Sequence, residues 1–376
     1  MEILTMFKAM ALSTGFVNFS VGNIIMICFG ILFIYFGINK KHEPFLLIPL
    51  GIAAILVNIP GTGLMGPDGL LRFNYAGVEK VIFPPLIFLG VGAMTDFGPL
   101  IANPSTIILG AAAHIGIFIA LVGAKLLGFS LHEAGAIGII GGADGPMAIY
   151  VATKLAPHLL GQVAVSAYSY MALLPIIQPP IMKLLVPQKE REIVMEQLHP
   201  VSRKAKIIFP IMMIILVDAL LPPIAPLMSC LMLGNLLRES GVVKRIADTI
   251  SGVFLDVVTV FIATAIGSTM SAENFVNTTT LEIVILGLIA FITGTMGGLL
   301  AARIMCWISK GKINPLIGSA GIAAVPMAAR VSHTVGKKAN PQSFLAMHAM
   351  GPNVAGVLGT AVAGGIMITL LLGGLH

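Results

Sequence analysis

The sequence predicts an all-α polytopic membrane protein of about ten transmembrane helices, in two inverted repeats whose broken or re-entrant helices meet near the bilayer midplane. Three observations predict this fold. Hydrophobic residues make up 57% of the 376 residues and charged residues 10%, and the mean hydropathy is +0.99. Apolar runs of membrane-spanning length recur along the chain, and a glycine- and proline-rich segment occurs twice. A set of soluble domains is excluded, because too little polar surface remains to cover them.

Each apolar run is a candidate helix, because crossing the hydrocarbon core takes about 20 residues in helical form. The runs cover residues 21–38, 45–59, 82–94, 106–129, 163–186, 207–221, 253–266, 281–305 and 354–375. Some of them are short enough to indicate breaks or re-entrant segments. The first run is followed by the charged stretch Asn39 to Glu43 without a small-residue cleavage pattern, so it is predicted to be a retained helix rather than a signal peptide.

Cysteine and charge patterns exclude several other classes of protein. Cys28, Cys230 and Cys306 lie in or beside separate apolar runs without CxxC spacing, so they indicate neither a disulfide framework nor a metal cluster. The net charge of +6 is concentrated in short connections, for example at residues 40–41 and 337–338. Basic connections of this kind are typical of cytoplasmic loops in a lipid bilayer, rather than of nucleic-acid binding. The membrane orientation stays open, because re-entrant segments leave the number of crossings undefined.

A long polar connection at mid-chain divides the membrane part into halves. We predict an N-terminal helix and basic loop at residues 1–43, a first membrane repeat at 44–187, a polar linker at 188–206 and a second membrane repeat at 207–376.

The duplication is visible as an ungapped match at an offset of 180 residues. AGAIGIIGGADGPMA at residues 134–148 and NPLIGSAGIAAVPMA at residues 314–328 share 7 of 15 residues. Matching apolar segments interrupted by glycine and proline are typical of transporter-like folds with broken helices. The alternative is a pair of kinked helices with packing glycines, which are common in membranes.

Asp144 stands at the first break, and amide side chains stand at the others. An ionised carboxylate in hydrocarbon costs at least about 2.5 kcal/mol, so it normally faces a cavity, an ion or a partner. The second break begins with Asn314, and a third Gly/Pro break carries Asn353. One carboxylate with amide and carbonyl oxygens suits Na⁺, whereas Ca²⁺ and Mg²⁺ sites usually carry more negative charge. The alternatives are a protonated, hydrogen-bonded Asp144 and asparagines that only satisfy broken backbone.

Other polar residues in apolar surroundings have less defined roles. Arg330 ends the PMAAR string, where its guanidinium can bind an anionic substrate or extend to the lipid headgroups. Tyr168 and Tyr170 lie inside an apolar run and can place hydroxyls in a cavity, although aromatic residues more often mark the membrane interface. The GxxxxGK[ST] phosphate-binding loop is missing from the sequence, so energy for transport must come from a gradient or another reaction.

Four stretches resemble one known family. They are GGADGPMAIYVATKLAP, GNLLRESGVVKR, KINPLIGSAGIAAVPMAARV and FLAMHAMGPNVAGVLGTAVAGG. They are similar to the β subunit of sodium-translocating biotin-dependent decarboxylases, the pumps that act on oxaloacetate, methylmalonyl-CoA, glutaconyl-CoA or malonate. The resemblance extends from about residue 45 to the C-terminus.

The resemblance implies a subunit that decarboxylates carboxybiotin and couples this reaction to Na⁺ export. It implies a multi-pass protein of a prokaryotic cytoplasmic membrane, and biotin that is attached to a partner rather than to this chain. The implied partners are an α carboxyltransferase subunit, a biotin-carrier subunit and a small γ subunit, with the β subunit as a trimer.

Carried over by motif, the resemblance makes Asp144 the essential aspartate and makes Asn314 and Asn353 sodium ligands. Gly318 lies in the same motif as Asn314. The resemblance also makes Tyr170 the membrane tyrosine, which suits a proton relay.

Arg330 is the arginine that the resemblance assigns to the carboxyl group of carboxybiotin. One position departs from the family pattern, because Ala323 stands where its members carry a serine. A second ion site built on that hydroxyl is therefore in question, with Ser319 as a displaced substitute.

A gradient-driven sodium symporter or Na⁺/H⁺ exchanger is the alternative function. It accounts equally well for Asp144, Asn314 and Asn353, but it does not account for the string that ends at Arg330. A plain membrane anchor for a soluble enzyme does not account for a costly buried aspartate.

Overall fold

The described part of the chain, residues 14–41 and 43–373, is helical in this computed structural model. These residues form helices and turns without a strand, which confirms the predicted all-α fold class. Residues 1–13, at the start of the predicted N-terminal segment, lie outside the described residues, as do His42 in its basic loop and residues 374–376 at the end of the last apolar run.

The helices differ widely in length, and several are too short to cross a bilayer alone. The N-terminal half contains α1 (Val21–Asn39), α2 (Pro44–Val57), α3 (Leu70–Glu79), α4 (Phe83–Met94), α5 (Gly98–Ala102), α6 (Ile107–Ala113), α7 (Ile115–Leu126), α8 (Leu131–Gly138), α9 (Gly145–Leu155), α10 (Leu160–Leu185) and α11 (Gln188–Arg191). The C-terminal half contains α12 (Arg203–Leu220), α13 (Ala225–Ser240), α14 (Lys244–Thr249), α15 (Leu255–Gly267), α16 (Ala272–Phe275), α17 (Thr278–Ile308), α18 (Met327–Ala339) and α19 (Ala346–Gly373).

Tighter or wider turns join some of these helices. Short 3₁₀ turns form at Gly15–Asn18, Pro104–Thr106, Ile139–Gly142, Pro157–Leu159, Pro222–Ile224 and Pro315–Gly321, and a π-helical turn forms at Ile250–Phe254. The turns at Ile139–Gly142 and Pro315–Gly321 fall within the two segments that the duplication predicts to be breaks.

Six helical stretches in the described part are long and apolar enough to span a membrane. They are Val21–Asn39, Pro104–Leu126, Pro157–Leu185, Lys244–Gly267, Thr278–Ile308 and Ala346–Gly373, and α3 with α4 adds a seventh if the pair is one broken span. The polytopic class is confirmed, but the predicted number of ten helices is not. The run at 45–59 forms the 14-residue helix α2, and α12 begins with Arg203 and Lys204, which interrupt its apolar pattern.

The described residues fall into two compact units. One unit contains the residues up to Phe83 together with Asp256–Glu282. In it, α1 and α2 pack closely, since a β carbon added at Gly51 would lie 2.5 Å from the Gly30 carbonyl oxygen. The predicted boundaries of the membrane repeats remain a prediction.

The other unit contains Pro84–Leu255 and the residues from Ile283 onward, including both breaks. Within this unit, α7 and α17 cross closely. A β carbon added at Gly116 would lie 2.2 Å from the Ala290 carbonyl oxygen and 3.0 Å from the Gly294 amide nitrogen. Small residues at such a crossing let two backbones approach, which is how helices associate in membranes.

The linker is fixed to the second half of the chain rather than free. Arg303 donates two hydrogen bonds to the Glu190 carboxylate, from Nε at 2.8 Å and from Nη2 at 3.1 Å. The Asn340 side chain donates to the Glu192 carbonyl at 2.9 Å. These contacts place the first part of the linker beside α17 and the end of α18.

The second part of the linker leads to an ion pair at the start of α12. The Lys206 ammonium lies 2.8 Å from Oδ1 of Asp96, which also accepts a hydrogen bond from the Gly98 amide at 2.8 Å. Burial alone would raise the pKa of Asp96, but these hydrogen bonds and the nearby positive charges outweigh it and hold that pKa below its usual value.

We expect Gly116→Ala to destabilise the protein by about 1–3 kcal/mol, the usual cost of overpacking. The new β carbon would meet a backbone carbonyl, which cannot move aside. Gly123→Ala in the same helix is the matched control, because its nearest atom is the end of the Leu286 side chain at 2.8 Å. Alanine is favoured over glycine in a helix by up to about 1 kcal/mol, so the control should keep or raise the melting temperature. Thermal unfolding in detergent measures both, and equal effects would contradict the close crossing.

The ion pair of Asp96 predicts a pH-dependent contribution to stability. Because the folded-state pKa of Asp96 is lowered, its contribution is present above the unfolded value of about 3.9 and is lost as the pH falls below it. Asp96→Asn should therefore lower the melting temperature more at pH 7 than near pH 3, because the contribution declines as the pH falls through the lowered folded-state pKa of Asp96. Asp68→Asn at an exposed position is the control. An effect of Asp96→Asn that is the same at both pH values would contradict the ion pair.

Candidate functional site

The first break places Asp144 at a junction between two short helices. The chain leaves α8 through the turn Ile139–Gly142, and Ala143 then adopts a left-handed conformation with φ of 55°. Asp144 caps the start of α9, where its Oδ1 accepts a hydrogen bond from the Met147 amide at 3.0 Å. The carboxylate is buried, with 5% of the residue exposed, as the sequence predicts for a functional acid inside a membrane.

Tyr168 lies against this junction. A β carbon added at Gly145 would lie 2.5 Å from Cζ of Tyr168, and the Tyr168 hydroxyl is close enough to interact electrostatically with Asp144. Among the described residues, the hydroxyls of Tyr168 and Ser166 are buried without a hydrogen-bond partner. The unpaired hydroxyl of Tyr168 is unusual beside a carboxylate, because leaving a buried donor unpaired costs about 1–3 kcal/mol.

The second break begins at Asn314, which caps the turn Pro315–Gly321. Its side-chain oxygen accepts from the Leu316 amide at 3.0 Å. Its side-chain nitrogen donates to the carbonyls of Arg191 at 2.9 Å and Ile193 at 2.8 Å. Asn314 therefore joins the break to the linker, and its role as a sodium ligand remains a prediction.

The rest of the second break is closely packed. A β carbon added at Gly318 would lie 2.1 Å from the Gly298 carbonyl oxygen of α17. The Ser319 hydroxyl donates to the Leu316 carbonyl at 2.8 Å and lies 2.8 Å from the Ser332 hydroxyl. Gly318 thus allows a close backbone approach, while Ser319 lies in a buried polar cluster.

The two breaks meet directly. The Ala323 amide donates to the Gly142 carbonyl at 2.9 Å, two residues before Asp144. The Asn353 side-chain nitrogen donates to the carbonyls of Ala320 at 3.2 Å and Ile322 at 2.7 Å. Asn353 lies near the start of α19, which continues through Pro352, so the third break predicted there does not form. The backbone before Asp144 and the carbonyls bound by Asn353 therefore belong to one junction, and the role of Asn353 as a sodium ligand remains a prediction.

Two other predicted residues, Tyr170 and Arg330, have no described hydrogen bond or ion pair with Asp144. The Tyr170 hydroxyl donates to the Val284 carbonyl, and its ring is stacked on Phe291 with 6.4 Å between the centroids, so Tyr170 faces α17. Arg330 lies exposed in the first turns of α18. Their roles in proton transfer and carboxylate binding remain predictions.

Several buried polar residues at the junction are not singled out by the sequence analysis. His114 separates α6 from α7, and its Nε2 lies 2.9 Å from the Thr360 hydroxyl and 3.2 Å from the Gly356 carbonyl. The Gln178 side-chain nitrogen donates to the Ser319 carbonyl at 2.8 Å. The signal that could have found them is a polar side chain in the middle of an apolar run.

A helical membrane protein in which two opened helices meet at a buried carboxylate belongs to the ion-translocating class. The family is shown by comparison with known proteins. The family model described as the beta subunit of Na⁺-transporting oxaloacetate decarboxylase matches residues 22–371. The chain belongs to this family of decarboxylase β subunits, and it is a multi-pass protein of the bacterial inner membrane.

Curated relatives match the chain along nearly its whole length. The methylmalonyl-CoA decarboxylase subunit beta of Veillonella parvula is 60% identical over 358 residues, which is 95% of each chain. The glutaconyl-CoA decarboxylase subunit beta of Acidaminococcus fermentans is 55% identical over 360 residues, 96% of each chain. The oxaloacetate decarboxylase beta chain of Klebsiella pneumoniae is 45% identical over 427 aligned positions, 97% of this chain and 99% of the relative. These matches confirm the resemblance found in the sequence motifs.

Phenylalanine substitutions at Tyr168 and Tyr170 should differ in their effects on stability and on the Na⁺ dependence of turnover. Tyr170→Phe loses the hydrogen bond to Val284 and should lower the free energy of unfolding by about 1 kcal/mol. Tyr168→Phe loses an unpaired hydroxyl and should leave stability unchanged or raise it. Because this hydroxyl lies beside Asp144, only Tyr168→Phe should change the Na⁺ concentration at half-maximal turnover. Melting curves and Na⁺ titrations measure the two effects, and the reverse assignment would favour the relay role of Tyr170.

Proposed function

We propose that this chain decarboxylates carboxybiotin presented by a partner subunit and uses the reaction to export Na⁺. The observation that carries the proposal is the junction of the two breaks, where the backbone next to a buried carboxylate meets opened backbone that the Asn353 amide also binds. The family match supports it, because the family model describes Na⁺-transporting β subunits.

The relatives support carboxybiotin as the shared substrate. They are subunits of decarboxylases named for three different acids, namely methylmalonyl-CoA, glutaconyl-CoA and oxaloacetate. This chain is 60%, 55% and 45% identical to these relatives over nearly its whole length, although the relatives are named for different acids. A β subunit that never contacts the acid explains this similarity, since the carboxyl group reaches it only on biotin. The acid would then be selected by the α carboxyltransferase subunit.

The proposed Na⁺ site is centred on Asp144 and Asn353. One carboxylate neutralises one monovalent ion, and the remaining ligands would be neutral oxygens from the opened backbone and the amides. Gly318 and Ser319 line the second break. Asn314 can join only with the second lone pair of its oxygen, because the Leu316 amide occupies the first.

Arg330 is suited to receive the carboxyl group of carboxybiotin. It is exposed, so a group carried by another subunit can reach it, and a guanidinium binds a carboxylate in bidentate fashion. Carboxybiotin loses CO₂ more readily once its carboxylate leaves water for a dry pocket, and a proton completes free biotin. The position of the Tyr168 ring against Gly145 favours Tyr168 as the group that exchanges a proton with Asp144. The family resemblance favours Tyr170 for the same role.

The partners of this function are an α subunit, a biotin-carrier subunit and a small γ subunit, with the β subunit as a trimer. Exporting one positive charge against 100 mV costs about 2.3 kcal/mol, so decarboxylation must be tightly coupled to ion release.

The test is ²²Na⁺ uptake into proteoliposomes that contain the whole complex, driven by its decarboxylase substrate. Uptake should fall to the substrate-free level with avidin, which blocks biotin, and with Asp144→Asn, which removes the ion's counter-charge. Asp218→Asn is the matched control, because Asp218 is a partly buried carboxylate that accepts from the Ser229 hydroxyl at 2.6 Å outside both breaks, and it should retain uptake.

Two results would contradict the proposal. Uptake that ignores avidin and follows a pH or solute gradient would favour the secondary transporter. Full substrate-driven uptake by Asp144→Asn would remove Asp144 from the ion path while leaving the biotin reaction in place.

A further inference from the structure

Gln178 is an uncharged polar residue that is fully buried within α10. It is 0% exposed and lies between the apolar residue Ile177 and the prolines at 179 and 180. Its side-chain nitrogen donates to the Ser319 carbonyl at 2.8 Å and lies 3.4 Å from the Thr295 hydroxyl. Gln178 therefore connects α10 and α17 to the opened backbone of the second break.

These contacts fix the orientation of the Gln178 amide. The Ser319 carbonyl can only accept a hydrogen bond, so the nitrogen must face it and the oxygen must point elsewhere. That oxygen, Oε1, is buried and has no hydrogen-bond partner among the described residues. A buried carbonyl oxygen without a partner costs free energy that a methionine or leucine at this position would avoid. Packing alone therefore does not explain a glutamine here.

Asn353 shows the same pattern at the next residues of this segment. Its nitrogen donates to the Ala320 and Ile322 carbonyls, and its oxygen, Oδ1, is also buried without a partner. The two amides thus hold carbonyls between residues 319 and 322 with their donors, and each leaves one acceptor open. Buried oxygens that lack a donor are the type of ligand that a hard cation takes up.

At the first break, the side chain of α19 that contacts the opened backbone is Thr360, and its oxygen has a hydrogen-bond partner. Thr360 lies against Gly142, where an added β carbon would lie 2.5 Å from Cγ2 of Thr360. The Thr360 hydroxyl is paired with His114 at 2.9 Å. Of the three buried side-chain amide oxygens without a partner in the described part of the chain, two thus lie at the second break, which carries no carboxylate of its own, and the third belongs to Asn235.

We propose that Gln178 supplies a Na⁺ ligand at the second break through its side-chain oxygen, next to Asn353. This inference rests on the proposed function, in which Na⁺ is the transported ion, and extends its site to a residue of α10. The ion would occupy oxygens of Gln178 and Asn353 at the stage of transport in which it lies beside the second break. The nitrogen of Gln178 would meanwhile hold the Ser319 carbonyl in place.

The test compares Gln178→Met with Thr295→Val in the complete complex. Methionine keeps the length of the side chain and removes both amide groups, whereas Thr295→Val removes only the distant hydroxyl partner and leaves the Gln178 oxygen. The readouts are the rise in melting temperature on replacing choline chloride with NaCl at constant ionic strength, and the Na⁺ concentration at half-maximal decarboxylation.

Gln178→Met should raise the Na⁺ concentration at half-maximum by about tenfold or more, the usual effect of losing a group that supports a bound metal ion. Thr295→Val should leave it within about twofold, because the 3.4 Å contact of its hydroxyl with the Gln178 nitrogen is too long to hold the amide in place. Gln178→Glu returns an oxygen to the position and should restore a Na⁺ response that Gln178→Met has lost. It also gives a second measurement if the methionine variant does not assemble.

The outcomes separate this inference from the proposed function. If Gln178→Met and Thr295→Val lower the Na⁺-free melting temperature alike and leave the half-maximal Na⁺ concentration unchanged, Gln178 only packs, and the inference is overturned. If Asp144→Asn loses the Na⁺ response while Gln178→Met keeps it, the inference fails and the proposed site stands. A wild-type complex whose melting temperature and turnover ignore Na⁺ would overturn both.

Discussion

The main constraint on this protein is that backbone groups freed inside a membrane must be satisfied by the protein itself. Each break opens a helix and leaves amides and carbonyls that lipid cannot bind. The structure satisfies them across the junction, where Gly142 accepts from the Ala323 amide and the side chains of Gln178 and Asn353 donate to carbonyls of the second break. Asp144 in turn accepts the Met147 amide. The candidate site therefore consists of the same groups that form hydrogen bonds with the backbone opened at the breaks.

Close backbone contact is the second requirement, and glycine meets it. β carbons added at Gly318 and Gly356 would lie 2.1 Å and 2.4 Å from the carbonyl oxygens of Gly298 and Gly321. Contacts this short admit no side chain, so the helices around the breaks touch through their backbones. Polar side chains near the junction then have little room for alternative rotamers, and their donors and acceptors stay aimed at the opened segments.

The sequence predicted the features that follow from hydropathy and repeat patterns, and it missed the features that depend on where each side chain points. Hydropathy and the offset repeat predicted a helical membrane protein with paired breaks, and the cost of a buried charge singled out Asp144. Tyr168 and Tyr170 could not be separated by pattern, although side chains two residues apart on a helix point about 200° apart around its axis. Gln178 and His114 were missed because their apolar runs look like ordinary spans until their partners are known. The count of about ten helices is not confirmed for a similar reason, because an apolar run does not show where its helix ends.

In the proposed function, the distribution of charge at the junction would link the binding of Na⁺ to its release. The first break carries one carboxylate and the second carries only neutral oxygens, so a single monovalent cation brings the site close to neutrality. Burial makes an ionised Asp144 without a counter-ion costly, and it therefore favours the binding of either Na⁺ or a proton to the carboxylate. The two ligands then compete for one carboxylate, and in the proposed function the decarboxylation step needs a proton as well. A protein that controls when a proton reaches Asp144 therefore controls when Na⁺ leaves, and the unpaired hydroxyl of Tyr168 lies where that control would act.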